Sequence, residues 1–362
     1  MSWRPKAPPK AARRRGGGLG AAISKLSAVI VILAATVLVG GLMLVAEFNR
    51  PGPGARDTEF MVERGASAAA IGEDLAGEGL IRDPLFFRLA TRAYAQGRSL
   101  QAGEYAVPAG ASLRVIVEMM SSGEAVQHAV TIPEGYTSQM AIDVLAASEV
   151  LTGDVPETPP EGSILPETYH VQRGMSRADL LQQMRDAHDQ AVAEIWAKRA
   201  PDLPISTPEQ MVTLASIVEK ETGLAAERPM VAAAFTNRLR RSIRIESDPT
   251  IIYGVCVRAP SRCRNGRLVD AAGNPRVIRQ SDMAMRTGYN TYQIDGLPPT
   301  PIANPGRASM EAVANPPPSD AIFFVADGTG GHVFAATLAE HNANVARWRR
   351  IEAQRLAEER AN

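Results

Sequence analysis

The spacing of apolar positions changes several times along this chain, and each change marks a region. Leu26 to Ala46 is a run of 21 uncharged residues, mostly Val, Ile, Leu and Ala. As a helix it covers about 30 Å of hydrocarbon, which predicts a transmembrane segment over residues 26–46. Residues 47–58 include NRPGPGARD and read as a linker. Three similar units come next: MVERGASAAAIGEDLA (61–76), YAVPAGASLRVIVEMM (105–120) and VTIPEGYTSQMAIDVLA (130–146). Each runs from an extended stretch through a glycine (Gly65, Gly110, Gly135) to a hydroxyl two residues on (Ser67, Ser112, Thr137), then into an apolar-periodic helix. The glycine permits a tight turn and the hydroxyl caps the helix, so residues 59–154 are expected to form a small α+β module.

VPETPPEG (155–162) marks an interdomain connection, and residues 155–362 read as a second, mixed α/β domain. Within it the pattern predicts an extended stretch over 164–171, a helix from Ser176 to about Arg199, and a helix from Thr207 to Gly223. Residues 244–306 are dense in Pro, Gly, Asn, Asp and Tyr, a composition expected of site-building loops. AIFFVA and HVFAAT flank DGTGG as a β-hairpin, and a charge-rich helix follows from Leu338 to about Glu359.

The 207–223 helix is the most informative segment. Thr207 can cap it, Pro208 suits its first position, Gln210 completes a T-x-x-Q box, and Gly223 supplies a stop. Counting from Met211 at about 100° per residue, the apolar side chains fill an arc from about 240° through 0° to about 100°. Glu219 and Glu221 fall inside its two edges, near 80° and about 280°, while Thr213, Ser216 and Lys220 take the opposite, solvent-like side. A carboxyl pressed against apolar neighbours loses hydration of its charged form, and its pKa rises from about 4.3 toward the 6 to 7 useful in a proton donor. The ordinary alternative is a helix-edge glutamate that reaches water or pairs with arginine. Because the two point about 160° apart, they are not expected to share one pocket.

Charge sharpens the picture at the N-terminus. Residues 1–25 carry seven basic side chains and no acidic one, which predicts a cytoplasmic N-terminus with everything after Glu47 outside. A cleaved signal peptide is the competing reading. Against it, the apolar run exceeds the usual 7 to about 15 residues, and EFNRPGPGAR offers no small-residue cleavage site. Of 39 basic and 39 acidic groups, removing those seven leaves an excess of acid, so no nucleic-acid partner is expected. Cys256 and Cys263, the only cysteines, fall in the exported part, where a local disulfide is allowed.

Several chemistries lack their residues. There is no G-x-S-x-G elbow, H-E-x-x-H, P-loop or dinucleotide fingerprint, and the five histidines are scattered. Pyridoxal chemistry needs a Schiff-base lysine, and beyond the anchor only Lys198 and Lys220 exist. Neither cofactor nor metal is therefore expected. Carboxylate acid–base chemistry on a polar, extended substrate survives. Candidate binding groups are Asp248 and Tyr253 in SDPTIIYG, Asn290 and Tyr292 in YNTY, Asn304 in ANPG, and His332 in the hairpin.

ASIVEKETG, SDPTIIYG, YNTYQIDGLPPTPIANPG and HVFAATLAEHN, in this order behind an anchor, closely resemble the YceG-like family of endolytic murein transglycosylases. The resemblance covers essentially everything after residue 25. It implies a membrane anchor, a LysM-like glycan-binding region at 59–154 and a YceG-like catalytic domain at 155–362. It also implies cleavage of peptidoglycan between N-acetylmuramic acid and N-acetylglucosamine, without water, to leave 1,6-anhydro ends. The enzyme would sit in the cytoplasmic membrane, act outside it, and accompany peptidoglycan synthases. The glutamate implied as catalytic is the first of E-K-E-T, Glu219. Two departures stand out: Thr300 occupies a position expected to be glycine, and the Cys256–Cys263 insert is longer than usual. A silent wall-binding scaffold and a conventional hydrolase, which needs a second carboxylate, are the competing readings.

Overall fold

The computed structural model describes residues 18–361, and most of the basic N-terminal arm lies outside them. Two compact units are present, one ending at Val126 and the other starting at Gln127.

The first unit opens with α1 (Gly18–Asn49), in which 25 residues from Lys25 are long and apolar enough to cross a membrane. Its apolar side chains from Leu26 to Val45 are exposed, whereas Phe48 is buried against the following module. That module pairs β1 (Thr58–Val62) with β2 (Gly103–Val107) antiparallel and packs α2 (Ala68–Gly77), α3 (Pro84–Tyr94) and α4 (Leu113–Ser122) around them. Strand alternation buries Phe60 and Val62 on one face, where they meet Ile71, Leu75, Phe87 and Ile116. Ser67 and Ser112 accept the capping hydrogen bonds of α2 and α4, and Gly65 and Gly110 take the left-handed turns before them.

The third glycine–hydroxyl turn belongs to the second unit. There β3 (His128–Thr131) leads through Gly135 into α5 (Ser138–Ala147), capped by Thr137. β3 pairs not with its predecessors but with β5 (Thr168–Val171), antiparallel, and the short β4 (Leu151–Thr152) pairs with β6 (Met175–Ser176). Val130, Ile142 and Leu145 thereby share a core with Ile164, Tyr169, Leu180 and Met184. This shared core is why the units separate before residue 127 instead of at the Pro- and Glu-rich stretch.

A helical core completes the second unit. α6 (Arg177–Ala197), α7 (Pro208–Glu221), α8 (Arg228–Arg240) and α11 (Arg307–Ala314) pack around one apolar cluster. The loop-rich region carries α9 (Asp248–Arg258), a small β7–β8 ribbon (Cys263–Arg264, Arg267–Leu268) and the single turn α10 (Gln280–Met283). A disulfide joins Cys256 on α9 to Cys263 on β7. The chain ends with the antiparallel hairpin β9 (Phe323–Ala326) and β10 (His332–Ala335), followed by α12 (Leu338–Ala361).

α7 is more central than its wheel implies. Thr213 and Ser216, expected to face solvent, are buried. Their hydroxyls are satisfied inside the core: Thr213 donates to the Glu209 carbonyl, and Ser216 donates to the Thr213 carbonyl while accepting from the Ile302 amide. Small hydroxyl residues that bond backbone carbonyls can face protein on a helix side that reads as polar. Thr207 caps the helix as expected, whereas Gln210 reaches the Ser206 amide in place of the Thr207 amide.

Gly162 tests the packing of this core. It has φ +77°, and an added Cβ would lie 2.5 Å from the Pro301 ring, which cannot swing away. The left-handed penalty of about 1–2 kcal/mol and an overpacking cost of similar size predict that Gly162→Ala destabilises the protein by about 2–4 kcal/mol, measured by denaturant unfolding.

Candidate active site

The two glutamates of α7 end in different surroundings. Glu219 is enclosed, its side chain only 4% exposed. Its Oε2 accepts from the Gly306 amide at 3.0 Å and from Ser309 Oγ at 2.7 Å, both at the start of α11. Its Oε1 accepts from Arg228 Nη2 at 2.9 Å, and the same nitrogen donates to Glu134 Oε2 at 2.6 Å. Where the sequence suggested a carboxyl against apolar neighbours, the structure surrounds Glu219 with donors, one of them a guanidinium. The carboxylate ties together α7, α8, α11 and the turn before α5.

Glu221, expected to point away from the chemistry, lines a cleft of about 540 Å³ with Asp248, Tyr292, Phe323 and His332. Burial, and then the charge of Asp248, push its carboxyl up to about 7, with the Ser247 side chain opposing the rise. Near neutrality a large fraction of Glu221 therefore carries a proton, the state a general acid requires.

The cleft is braced by two of the segments singled out in the sequence. Tyr292 Oη donates to Asp248 Oδ1 at 2.9 Å. Behind this contact Thr291 Oγ1 accepts from the Ser247 amide at 3.0 Å and lies 2.8 Å from Thr250 Oγ1. Burial and the negative Asp248 raise the pKa of Tyr292, keeping its hydroxyl a donor. Arg238 joins Glu246 to the Ile322 carbonyl and so fixes another part of the wall. The hairpin contributes His332, whose amide and Nδ1 both lie 2.7 Å from the Glu227 carboxylate. Glu227 sits below its ordinary value: burial opposes this, but the His332 hydrogen bonds outweigh it.

The remaining expected residues lie elsewhere. Asn290 is 1% exposed and donates to the Met283 carbonyl, while its Oδ1 accepts from the Tyr292 amide. Asn304 is fully buried. It donates to the Tyr136 carbonyl, Ser138 Oγ and Glu161 Oε1, and accepts from the Ile164 amide. Both asparagines hold loops together and are enclosed by protein. Tyr253 lines a second cleft, where its hydroxyl donates to Glu161 Oε2 at 3.1 Å.

Sequence reasoning missed Glu161, Arg228, Glu134 and Ser309. Glu161 lay in the stretch read as a connector, and no local signal marks an arginine nine residues after its glutamate partner as a contact. Thr300, the departure in LPPTPI, places its hydroxyl 2.8 Å from Tyr289 Oη. Among the described residues, no group of three or more His, Cys, Asp or Glu could hold a metal ion.

The pattern that defines the YceG-like family matches residues 60–347. The chain belongs to the YceG-like family. An endolytic murein transglycosylase of Bacillus subtilis is 28% identical over 315 residues, covering 78% of this chain and 82% of that protein. One from Streptococcus pneumoniae is 26% identical over 79% of this chain, which spans 57% of the pneumococcal protein. A crystal structure of a YceG-like protein from Listeria monocytogenes, 26% identical, covers 80% of this chain and 98% of that one with a TM-score of 0.47. The family match takes in both E-K-E-T glutamates and every residue lining the Glu221 cleft.

A carboxyl whose folded-state pKa exceeds its ordinary 4.5 costs folding little at low pH and progressively more as pH rises through about 7. Glu221→Gln is therefore expected to unfold like the parent near pH 4 and to gain on the order of 2 kcal/mol over it at about pH 8. Urea titrations at the two pH values measure the difference, and a gain independent of pH would count against a titrating Glu221.

Proposed function

We propose that this YceG-like protein is a membrane-anchored lytic transglycosylase that cuts murein strands internally between N-acetylmuramic acid and N-acetylglucosamine, with Glu221 as its general acid. The supporting observation is the place of Glu221 in a cleft beside Asp248 and Tyr292, where burial and the Asp248 charge raise its pKa to about 7. The names of the Bacillus and pneumococcal relatives support the substrate class.

Glu221 delivers its proton to the glycosidic oxygen as the C1–O bond breaks. The muramic C6 hydroxyl then attacks C1 and returns its proton to the Glu221 carboxylate. A 1,6-anhydro end results, the acid is regenerated, and no water is consumed. Because the nucleophile belongs to the substrate, one carboxyl of raised pKa suffices. Asp248 contributes the negative charge that favours the protonated acid and, once the reaction begins, faces the developing positive charge on the sugar. Glu219 is in this reading a structural clamp, although resemblance pointed to it as the acid.

The capped strand–turn–helix units of the first unit support a LysM-like role in holding glycan. An exposed apolar α1 behind a basic arm supports a single-pass anchor in the cytoplasmic membrane, with the catalytic part outside. So placed, the enzyme would meet strands as synthases extrude them and could act as a terminase of strand growth.

Asp248 in the same cleft also favours a second reading, hydrolysis with Asp248 activating water. Digestion of purified strands followed by mass analysis of the ends separates the two. Wild type should give anhydro ends, with activity falling as pH rises through about 7 and Glu221 loses its proton. Glu221→Gln should lose about 10²–10⁴-fold in rate while staying folded. Glu219→Gln leaves Arg228 short of a buried partner, so it should melt earlier by about 3 kcal/mol yet still cut at a temperature where it is folded. Reducing ends would establish the hydrolase, and a folded Glu219→Gln without activity would return the acid role to Glu219.

A further inference from the structure

The second cleft, about 650 Å³, is lined by residues from Gly135 to Ile302 and lies beside the last turn of α7. Lys220 faces it, and the next residue, Glu221, lines the first cleft. On α9 the sequence neighbours Asp248 and Pro249 divide in the same way. Adjacent helix residues leave about 100° apart with a rise of about 1.5 Å, so the two clefts flank one ridge.

This cleft is built for something other than a bare sugar chain. Its floor is aliphatic, from Met140, Ile252 and Ile302. Lys220 and Arg267 both line the cleft; burial lowers the Lys220 pKa, the Glu219 charge opposes this, and Arg267 lowers it further against a smaller pull from Glu161. Lys220 gives one hydrogen bond to the Gly135 carbonyl. Among the described residues, no carboxylate lies within 4.0 Å of either cation. Two cations lining one cleft without a carboxylate bonded to either fit a ligand carboxylate. Elsewhere in the cleft, Asp143 and the half-buried Glu161 supply acceptors. Burial raises Glu161, against hydrogen bonds from the Ser138 amide and Tyr253. Glucosamine and muramic rings present mainly hydroxyls and amides, whereas the peptide carried on muramic acid presents small apolar side chains and free carboxylates.

We propose that this cleft receives the peptide stem of the strand being cut, seating a stem carboxylate between Lys220 and Arg267 and its small side chains on the aliphatic floor. The inference rests on the murein reading of the Glu221 cleft. A glycan crossing Glu221 would pass its muramic substituent over the ridge, so recognition of the stem would fix which sugar presents its C1 to the acid. The disulfide cysteines both line this cleft, and their bond holds the β7–β8 ribbon that carries Arg267 against α9.

The test is binding of a synthetic stem tetrapeptide with free carboxylates to the full chain in detergent micelles, followed by calorimetry. It needs no turnover, so its failure is separable from failure of the acid assignment. Wild type and Glu221→Gln should bind alike, while Arg267→Glu and the cleft-filling Met140→Trp should each weaken binding by about tenfold or more, the scale of one charge-assisted contact. A tetrapeptide with both carboxylates amidated should show the same loss on wild type. Thermal unfolding confirms that each variant is folded, and Met140→Trp decides alone if Arg267→Glu is not. The proposal is overturned if the peptide does not bind, if the folded variants bind it like wild type, or if the same variants weaken binding of stem-free glycan strands.

Discussion

A carboxylate buried at the C-terminal end of a helix faces two penalties, lost hydration and the negative end of the helix dipole, and the second unit is arranged to offset both at Glu219. The Gly306 amide and Ser309 hydroxyl come from the start of α11, where the dipole is positive. The Arg228 guanidinium comes from the first turn of α8 and is itself shared with Glu134. Two chain segments thus meet the Glu219 oxygens directly, and the turn carrying Glu134 joins them through Arg228. Moving any of them leaves a buried charge short of a partner, which is costlier than losing an ordinary contact. The last turn of α7 is held where it is by that requirement.

Fixing the last turn fixes Glu221, two residues on. Its side chain leaves the helix about 160° from Glu219 and enters a cleft whose Arg238 guanidinium is engaged by Glu246 and the Ile322 carbonyl. Asp248 lines the same cleft, held by Tyr292, while Thr291 bonds the neighbouring Ser247 amide and the Thr250 hydroxyl. The same residue type thus meets a guanidinium and two further donors in one place and a neighbouring carboxylate in the other. At Glu221 burial and the Asp248 charge both favour the protonated form.

Much of the fold was legible because it depends on local rules. The glycine–hydroxyl turns, the Thr207 cap, the terminal hairpin and the apolar N-terminal helix are encoded within a few residues of each other. Helix periodicity also gave the divergence of the two glutamates correctly. Which glutamate meets which environment was not legible, because Arg228, Ser309 and Glu134 arrive from distant segments. The buried hydroxyls of α7 misled for a related reason: a wheel scores Thr213 and Ser216 as polar and cannot see carbonyls that satisfy them inside the core. The turn-former asparagines resembled ligand groups, yet Asn290 and Asn304 spend their donors on carbonyls of neighbouring loops.

With Glu221 as the proposed acid, its separation from Glu219 has a thermodynamic consequence. A proton donor of raised pKa is a site where folding free energy is given up, since ionising Glu221 in place costs more than ionising it in water. Such a residue keeps its environment only if neighbouring structure prevents it from turning toward solvent. Glu219 supplies that constraint from within the same helical turn, through its contacts with Gly306, Ser309 and Arg228. Raising the pH ionises Glu221 within a wall that the Glu219 contacts hold in place, so the cleft should lose its proton before it loses its shape. A fall in activity through neutral pH would then report on the chemistry of one carboxyl and not on loosening of the fold, a separation that a single glutamate serving both purposes could not provide.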